Sequence, residues 1–302
     1  MESSVGRTKA PRRGAYLLPS FFTGINILCG FLALTETFQA GELVPGSLSE
    51  AAKHFDLAAI AIGLAVLFDG IDGRIARLMG LTSAFGREFD SIADAITFGI
   101  APAFLAFAWG VRAVLPVPGD TLFGHLTAAG WWVSFIFVIC SASRLARFNI
   151  QTTPTASNYQ RQDRKSFVGL PTPAAAGLVA SFVHFNSGFP VGDWLWVPFW
   201  LLMLLATSLL MVSTWRYSSF KDLDLRRKQK FVVVIGVAGA VALIYLYSQW
   251  VLLLIATSYL LSGVLAKLSQ TYRRGRIDVL SDLHSSARTS QRPEERHISP
   301  PL

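Results

Sequence analysis

FDGIDGRIARLMGLTSAFGREFDSIADA, from Phe68 to Ala95, decides how the rest of the 302-residue chain is read. Asp69 and Asp72 stand three apart, and Gly73, Ala76 and Arg77 follow at intervals that keep all five on one face of an α-helix. Gly86, Asp90 and Asp94 then recur at every fourth residue and line a stripe on a following helix. The interval from Leu78 to Phe85 is long enough to turn the chain back. The spacing therefore predicts two antiparallel helices presenting four carboxylates to one another. Carboxylates crowded in this way repel unless cations neutralise them. An all-oxygen donor set suits Mg²⁺, Mn²⁺ or Ca²⁺, and two such ions about 3.5–4 Å apart are a common arrangement for displacement at phosphorus. The glycines remove bulk where a phosphate or ribose must approach. Arg77, one turn beyond the first Asp pair, is placed to hold phosphate oxygens.

The surroundings sharpen this reading. The chain is 52% hydrophobic and only 15% charged, against about 25% charged for soluble domains. Such a composition belongs to an integral membrane protein, and ionisable groups beside membrane-spanning segments are costly enough to imply function. Ordinary helix caps and surface ion pairs would explain a single Asp, but not four flanked by apolar sequence. The net charge of +8 is spread between apolar segments and forms no aromatic-laced basic face, which excludes a nucleic-acid surface and fits loops facing anionic lipid. Cys29 and Cys140 lie in apolar runs and read as small buried hydrophobes. None of the five histidines has a second ligand at useful spacing.

Eight apolar helices are expected, at about 18–39, 55–78, 83–110, 127–148, 171–187, 193–214, 231–247 and 249–268. A polar connection is expected over 41–53, and a tight turn at Tyr247-Ser248-Gln249. Residues 1–15 read as a flexible basic arm and 271–302 as a disordered polar tail, leaving 16–270 as the membrane domain. The arm is followed by a long apolar run without a clear cleavage site, so that run is read as a first membrane helix. Lys and Arg concentrate before the first helix, around 147–165, around 215–230, in the tail, and near the motif as Arg74, Arg77 and Arg87. An even helix count then places both termini and the Asp cluster on the cytoplasmic side.

The motif D-x2-D-G-x2-A-R-x8-G-x3-D-x3-D is met at all eight positions and resembles the signature of the CDP-alcohol phosphatidyltransferases. That resemblance implies an all-α bundle with six core membrane helices, to which this chain adds two. It implies transfer from a CDP-linked lipid to an alcohol with release of CMP, two divalent cations (Mg²⁺ or Mn²⁺), and a homodimer in the cell membrane. It implies that Asp69, Asp72, Asp90 and Asp94 hold metal, and that Asp94 is the general base. Nucleotide contacts are expected from Asp69, Gly73, Ala76, Arg77, Gly86 and Asn26.

Three further stretches, DSIADAITFGIAPA (Asp90–Ala103), SRLARFNI (Ser143–Ile150) and FVGLPTPAAA (Phe167–Ala176), resemble the membrane-type phosphatidylserine synthase branch. The opening LLPSFFTGINILCGFLA is similar too, with Ser20 where Asn is expected. This branch implies CDP-diacylglycerol and L-serine as substrates. A serine carboxylate or lipid phosphate needs cations, and Arg144, Arg147 and Lys165 are the candidates, against a bland role as membrane-surface anchors. Thr23 and Asn26 would touch ligand or bond between helices, and for Thr97 the interhelical role is favoured. Three other readings compete. Glycerol 3-phosphate as acceptor would need a larger basic cluster. A polyprenyl transferase would carry its Asp motifs on widely separated helices. A cation transporter leaves the glycines and Arg77 without a role, and no internal repeat supports it.

Overall fold

The computed structural model describes residues 17–44, 46–79, 84–114, 121–152, 167–217, 239 and 242–267, with only the backbone course at 17–20, 72–79, 84, 121, 151–152, 167–168 and 216–217. The expected arm and tail lie outside the described residues. Helices α1 (Leu17–Leu43) and α2 (Leu48–Met79) form a long hairpin. The third span begins as α3 (Ala84–Asp94), widens into a π-helical segment over Ala95–Ile100, continues as α4 (Ala101–Phe107) and widens again over Ala108–Arg112. Then come α5 (Thr121–Thr152), α6 (Thr172–Phe185), α7 (Val197–Val212, entered through a 3₁₀ turn at Trp194–Trp196) and α8 (Ala242–Lys267).

Six of the described helical stretches are long and apolar enough to cross a bilayer: Phe21–Leu43, Leu48–Ile71, Phe85–Arg112, Leu122–Ile150, Trp194–Val212 and Ala242–Lys267. Eight were expected, and six are seen among the described residues. The 14-residue α6 is too short by that measure. Most of the expected 231–247 helix lies outside the described residues. The expected break at Tyr247-Ser248-Gln249 falls inside α8, which runs through it unbroken. The polar residues there stay helical because their side chains find tertiary partners, Ser248 on His184 and Gln249 on Ser187. The expected connection over 41–53 also contracts, since only 44–47 separate α1 from α2. Glu50 in the first turn of α2 favours an early start, and Ala51, Ala52 and Phe55 are already buried there.

Packing follows from small residues. The buried stripe of α2 reads Ala51, Phe55, Ala58, Ala59, Ile62 and Ala65, which lets α1 and α6 approach closely, as helices in lipid require. The third span is the most buried of the six and occupies the middle, against α1 on one side and α5 on the other. At its far end Trp109 meets Trp200 edge to face with centroids 5.0 Å apart. Their indole N–H groups donate to the carbonyls of Gly188 and Ala106, each at 3.0 Å, so neither buried polar tip is left unpaired. Outward positions are apolar, including Phe21, Leu28, Phe31 and Phe38 on α1 and Trp131, Trp132, Phe135 and Ile139 on α5. With the six spans, this makes the chain an integral membrane protein.

Among the described residues the fold is helical apart from a two-residue antiparallel pairing, β1 (Phe167–Val168) with β2 (Arg216–Tyr217). Gly169 follows β1 at φ +85° with its Cα against the Met211 carbonyl, a position that tolerates no Cβ. This pairing ties the entrance of α6 to the exit of α7.

Candidate active site

The motif helices bring three of the four predicted carboxylates together. Asp69 lies ten residues before the end of α2 and Asp94 ten residues after the start of α3, each about 15 Å along its helix from that end. One carboxylate oxygen from each of Asp69, Asp90 and Asp94 lies within 4.8 Å of the other two, and all three residues are half-buried. Three hard oxygen donors from two helices at that separation fit a divalent cation. Asp72, Gly73, Ala76 and Arg77 continue α2 beyond Asp69, but their side chains lie outside the described residues. Gly86 is half-buried on α3, two turns before Asp94.

Helix α1 supports this cluster from behind. Asn26, fully buried, donates from Nδ2 to Asp94 Oδ1 at 3.3 Å, and its own carbonyl accepts the Thr97 hydroxyl at 3.0 Å. Thr97 thus has the interhelical role expected of it. The two helix backbones approach closely at this level, because a Cβ on Gly30 would lie 3.0 Å from Thr97 Cα. Asn26 Oδ1 is buried without a hydrogen-bond partner. Asp94 is also the last α-helical residue before the π segment. The wider turn there rotates the following residues relative to the motif face, a feature frequent at functional sites.

On the opposite wall, α5 contributes Arg144. Its side chain is buried, its Nε has no hydrogen-bond partner, and it interacts electrostatically with Tyr259, Asp94 and Arg147. Arg147 donates from Nη2 to the Val212 carbonyl at 2.8 Å, capping the end of α7. Lys165 lies outside the described residues. A polar lock joins the walls, with Asn149 Nδ2 2.9 Å from Ser91 Oγ and 3.5 Å from Glu88 Oε2.

Sequence reasoning missed two kinds of residue. Ser91 and Asn149 sat in motif-bearing stretches but had no spacing to pair them. Tyr259 carried no signal, since a lone Tyr in an apolar helix reads as lipid-facing. The histidines also gained partners that spacing could not reveal. His54 Nδ1 lies 2.6 Å from Glu36 Oε2, and His184 Nδ1 lies 2.6 Å from Asp56 Oδ1.

Residues 16–192 match the family described as CDP-alcohol phosphatidyltransferase. A curated relative from Helicobacter pylori, named CDP-diacylglycerol–serine O-phosphatidyltransferase, is 34% identical over 226 residues, 74% of this chain and 81% of that protein. Relatives of the same name from Mycobacterium tuberculosis (34% over 210 residues, 67% of this chain and 62% of the relative) and Saccharomyces cerevisiae (30% over 167 residues, 55% and 53%) are also similar.

Proposed function

Because the chain belongs to the CDP-alcohol phosphatidyltransferase family, we propose that it is a membrane phosphatidylserine synthase, moving the phosphatidyl group of CDP-diacylglycerol to the hydroxyl of L-serine and releasing CMP. The observation that carries the proposal is the meeting of Asp69, Asp90 and Asp94 within 4.8 Å, with Arg144 a buried cation on α5. The printed name of the relatives supports serine as the acceptor.

Asp69, Asp72, Asp90 and Asp94 would hold two divalent cations, Mg²⁺ or Mn²⁺, which when bound would supply neutralisation of charge on the diphosphate and the leaving CMP. Asp94, oriented by Asn26, takes the proton of the serine hydroxyl as its oxygen attacks phosphorus. A new P–O bond to serine forms, the P–O bond to CMP breaks, and CMP leaves as the anion. Gly73, Ala76 and Gly86 make room for the nucleotide. Arg77 holds a phosphate, and Asn26 reaches the nucleotide side of Asp94. Arg144 meets the serine carboxylate or the lipid phosphate. Arg147, with one nitrogen on Val212, and Lys165 add positive charge at that wall. The membrane domain spans 16–270 and functions as a homodimer in the plasma membrane. Its site opens to the cytoplasm, where a nucleotide-linked lipid is made.

The test is CMP release by purified protein with CDP-diacylglycerol and Mn²⁺. Release with L-serine, and not with glycerol 3-phosphate, is expected. Release with glycerol 3-phosphate alone would overturn the acceptor and keep the reaction class. No release with any alcohol from folded protein would overturn the enzyme reading.

A further inference from the structure

Helix α3 carries two of the three clustered carboxylates, yet little apolar packing holds it. Of its described side chains only Ala93 is fully buried, while Phe85 and Ile92 face outward. The carboxylates also work against its position. Asp69, Asp90 and Asp94, gathered within 4.8 Å, repel one another until a cation joins them. Polar contacts therefore have to fix how far α3 is turned about its own axis.

Asn149 on α5 makes such a contact. Its Nδ2 donates to Ser91 Oγ at 2.9 Å, and Ser91 Oγ donates in turn to the Arg87 carbonyl at 3.0 Å, one turn back on α3. Asn149 Oδ1, 3.1 Å from the same hydroxyl, is its alternative acceptor. Because the relay ends on backbone, Asn149 grips the helix itself. Its amide also reaches Glu88 Oε2 at 3.5 Å, and Glu88 shares one face of α3 with Ser91. Ser91 directly follows Asp90, and successive helical residues point about 100° apart. The relay thus grips the face beside the acidic stripe. Two residues earlier on α5, Arg147 donates to the Val212 carbonyl at 2.8 Å, so the end of α5 that carries Asn149 is itself fastened to α7. A side chain reaches about 5–6 Å from its helix axis. Turning α3 by about 20° would then move a carboxylate oxygen about 2 Å, close to the whole length of a metal–oxygen bond, about 2.0–2.6 Å.

We propose that Asn149 and Ser91 are positioning residues for the divalent-cation site, their relay setting the rotation of α3 so that Asp90 and Asp94 already face Asp69 before a cation arrives. This rests on the reading of the carboxylate cluster as that site. The test is calorimetric Mn²⁺ binding to the purified full-length protein, with Tm measured alongside. Asn149→Ala and Ser91→Ala are each expected to raise the Mn²⁺ Kd about tenfold, the lower end of the cost of losing a group that orients metal ligands. The double variant should bind no more weakly than either single one, since all three lose the same contact. Ser91→Thr keeps the hydroxyl and should retain most of the affinity. Saturating Mn²⁺ should return CMP release by the single variants to near the wild-type rate. Unchanged Kd in both single variants would overturn the proposal. So would a lowered Tm at wild-type Kd, which marks a merely structural contact, or losses that multiply in the double variant, which mark two independent residues. Wild-type protein that binds no Mn²⁺ would refute the cation reading and the proposal with it, whereas wild-type binding that the variants leave unchanged refutes the proposal alone.

Discussion

Gly30→Ala is the perturbation whose size the structure sets most directly. A Cβ at Gly30 would sit 2.5 Å from Thr97 Oγ1 and 3.0 Å from both Thr97 Cα and Cβ. The hydroxyl can rotate away only by giving up its 3.0 Å bond to the Asn26 carbonyl, and the Cα cannot move without shifting the third span. Alanine in place of glycine favours a helix by about 1 kcal/mol. Against that stand overpacking of about 1–3 kcal/mol and a lost interhelical hydrogen bond of about 0.6 kcal/mol. The expected net loss is about 0.6–2.6 kcal/mol, read as a lower Tm in detergent. Because the strain falls on the turn that orients Asn26 toward Asp94, CMP release per folded molecule should fall as well. Gly24→Ala is the internal control, since a Cβ there meets nothing within 4 Å on the same helix, and it should be neutral or slightly stabilising. Adding Thr97→Ala to Gly30→Ala should recover part of the stability, but not all, because the backbone contact remains. Gly30→Ala matching Gly24→Ala in Tm and activity would refute the close approach of α1 and the third span.

The cluster itself makes further predictions. Asp94→Asn, nearly isosteric, should leave Tm within a few degrees while lowering CMP release by about 10²–10⁴; wild-type turnover would remove Asp94 as the base. Chelation should abolish activity and added Mg²⁺ or Mn²⁺ should restore it. Asp69→Ala and Asp90→Ala should each weaken Mn²⁺ binding measured calorimetrically, and unchanged binding in both would dissociate metal from this cluster. Arg144→Gln should raise the acceptor KM at least tenfold. Arg147→Ala should mainly lower Tm, by the cost of about one charge-assisted hydrogen bond to the Val212 carbonyl. The reverse ranking would exchange their roles.

Much of the site was legible because its residues are local in sequence. Asp69, Asp90 and Asp94 lie on α2 and α3, consecutive in the chain, so a period near 3.6 and a short interval suffice to bring them together. Membrane character was legible for a similar reason, since apolar run length is a local property. The helix ends were not. The polar residues at 48–53 and 247–249 read as loops, yet they are helical once Phe55 buries and His184 and Ser187 accept partners. Those partners come from distant parts of the chain, which no window of sequence contains.

The sequence alone determined the chemistry on offer: carboxylates at helical spacing, and membrane spans to carry them. Only the tertiary structure decided which groups finish the site. Asn26 reaches Asp94 because Gly30 lets α1 approach the third span. Arg147 faces the end of α7 while Arg144 turns inward, although both stand on one helix one turn apart. Helix α8 is fastened by residues from α2 and α6. Spacing along a helix sets which side chains share a face, but what each face meets depends on close packing between elements far apart in the chain.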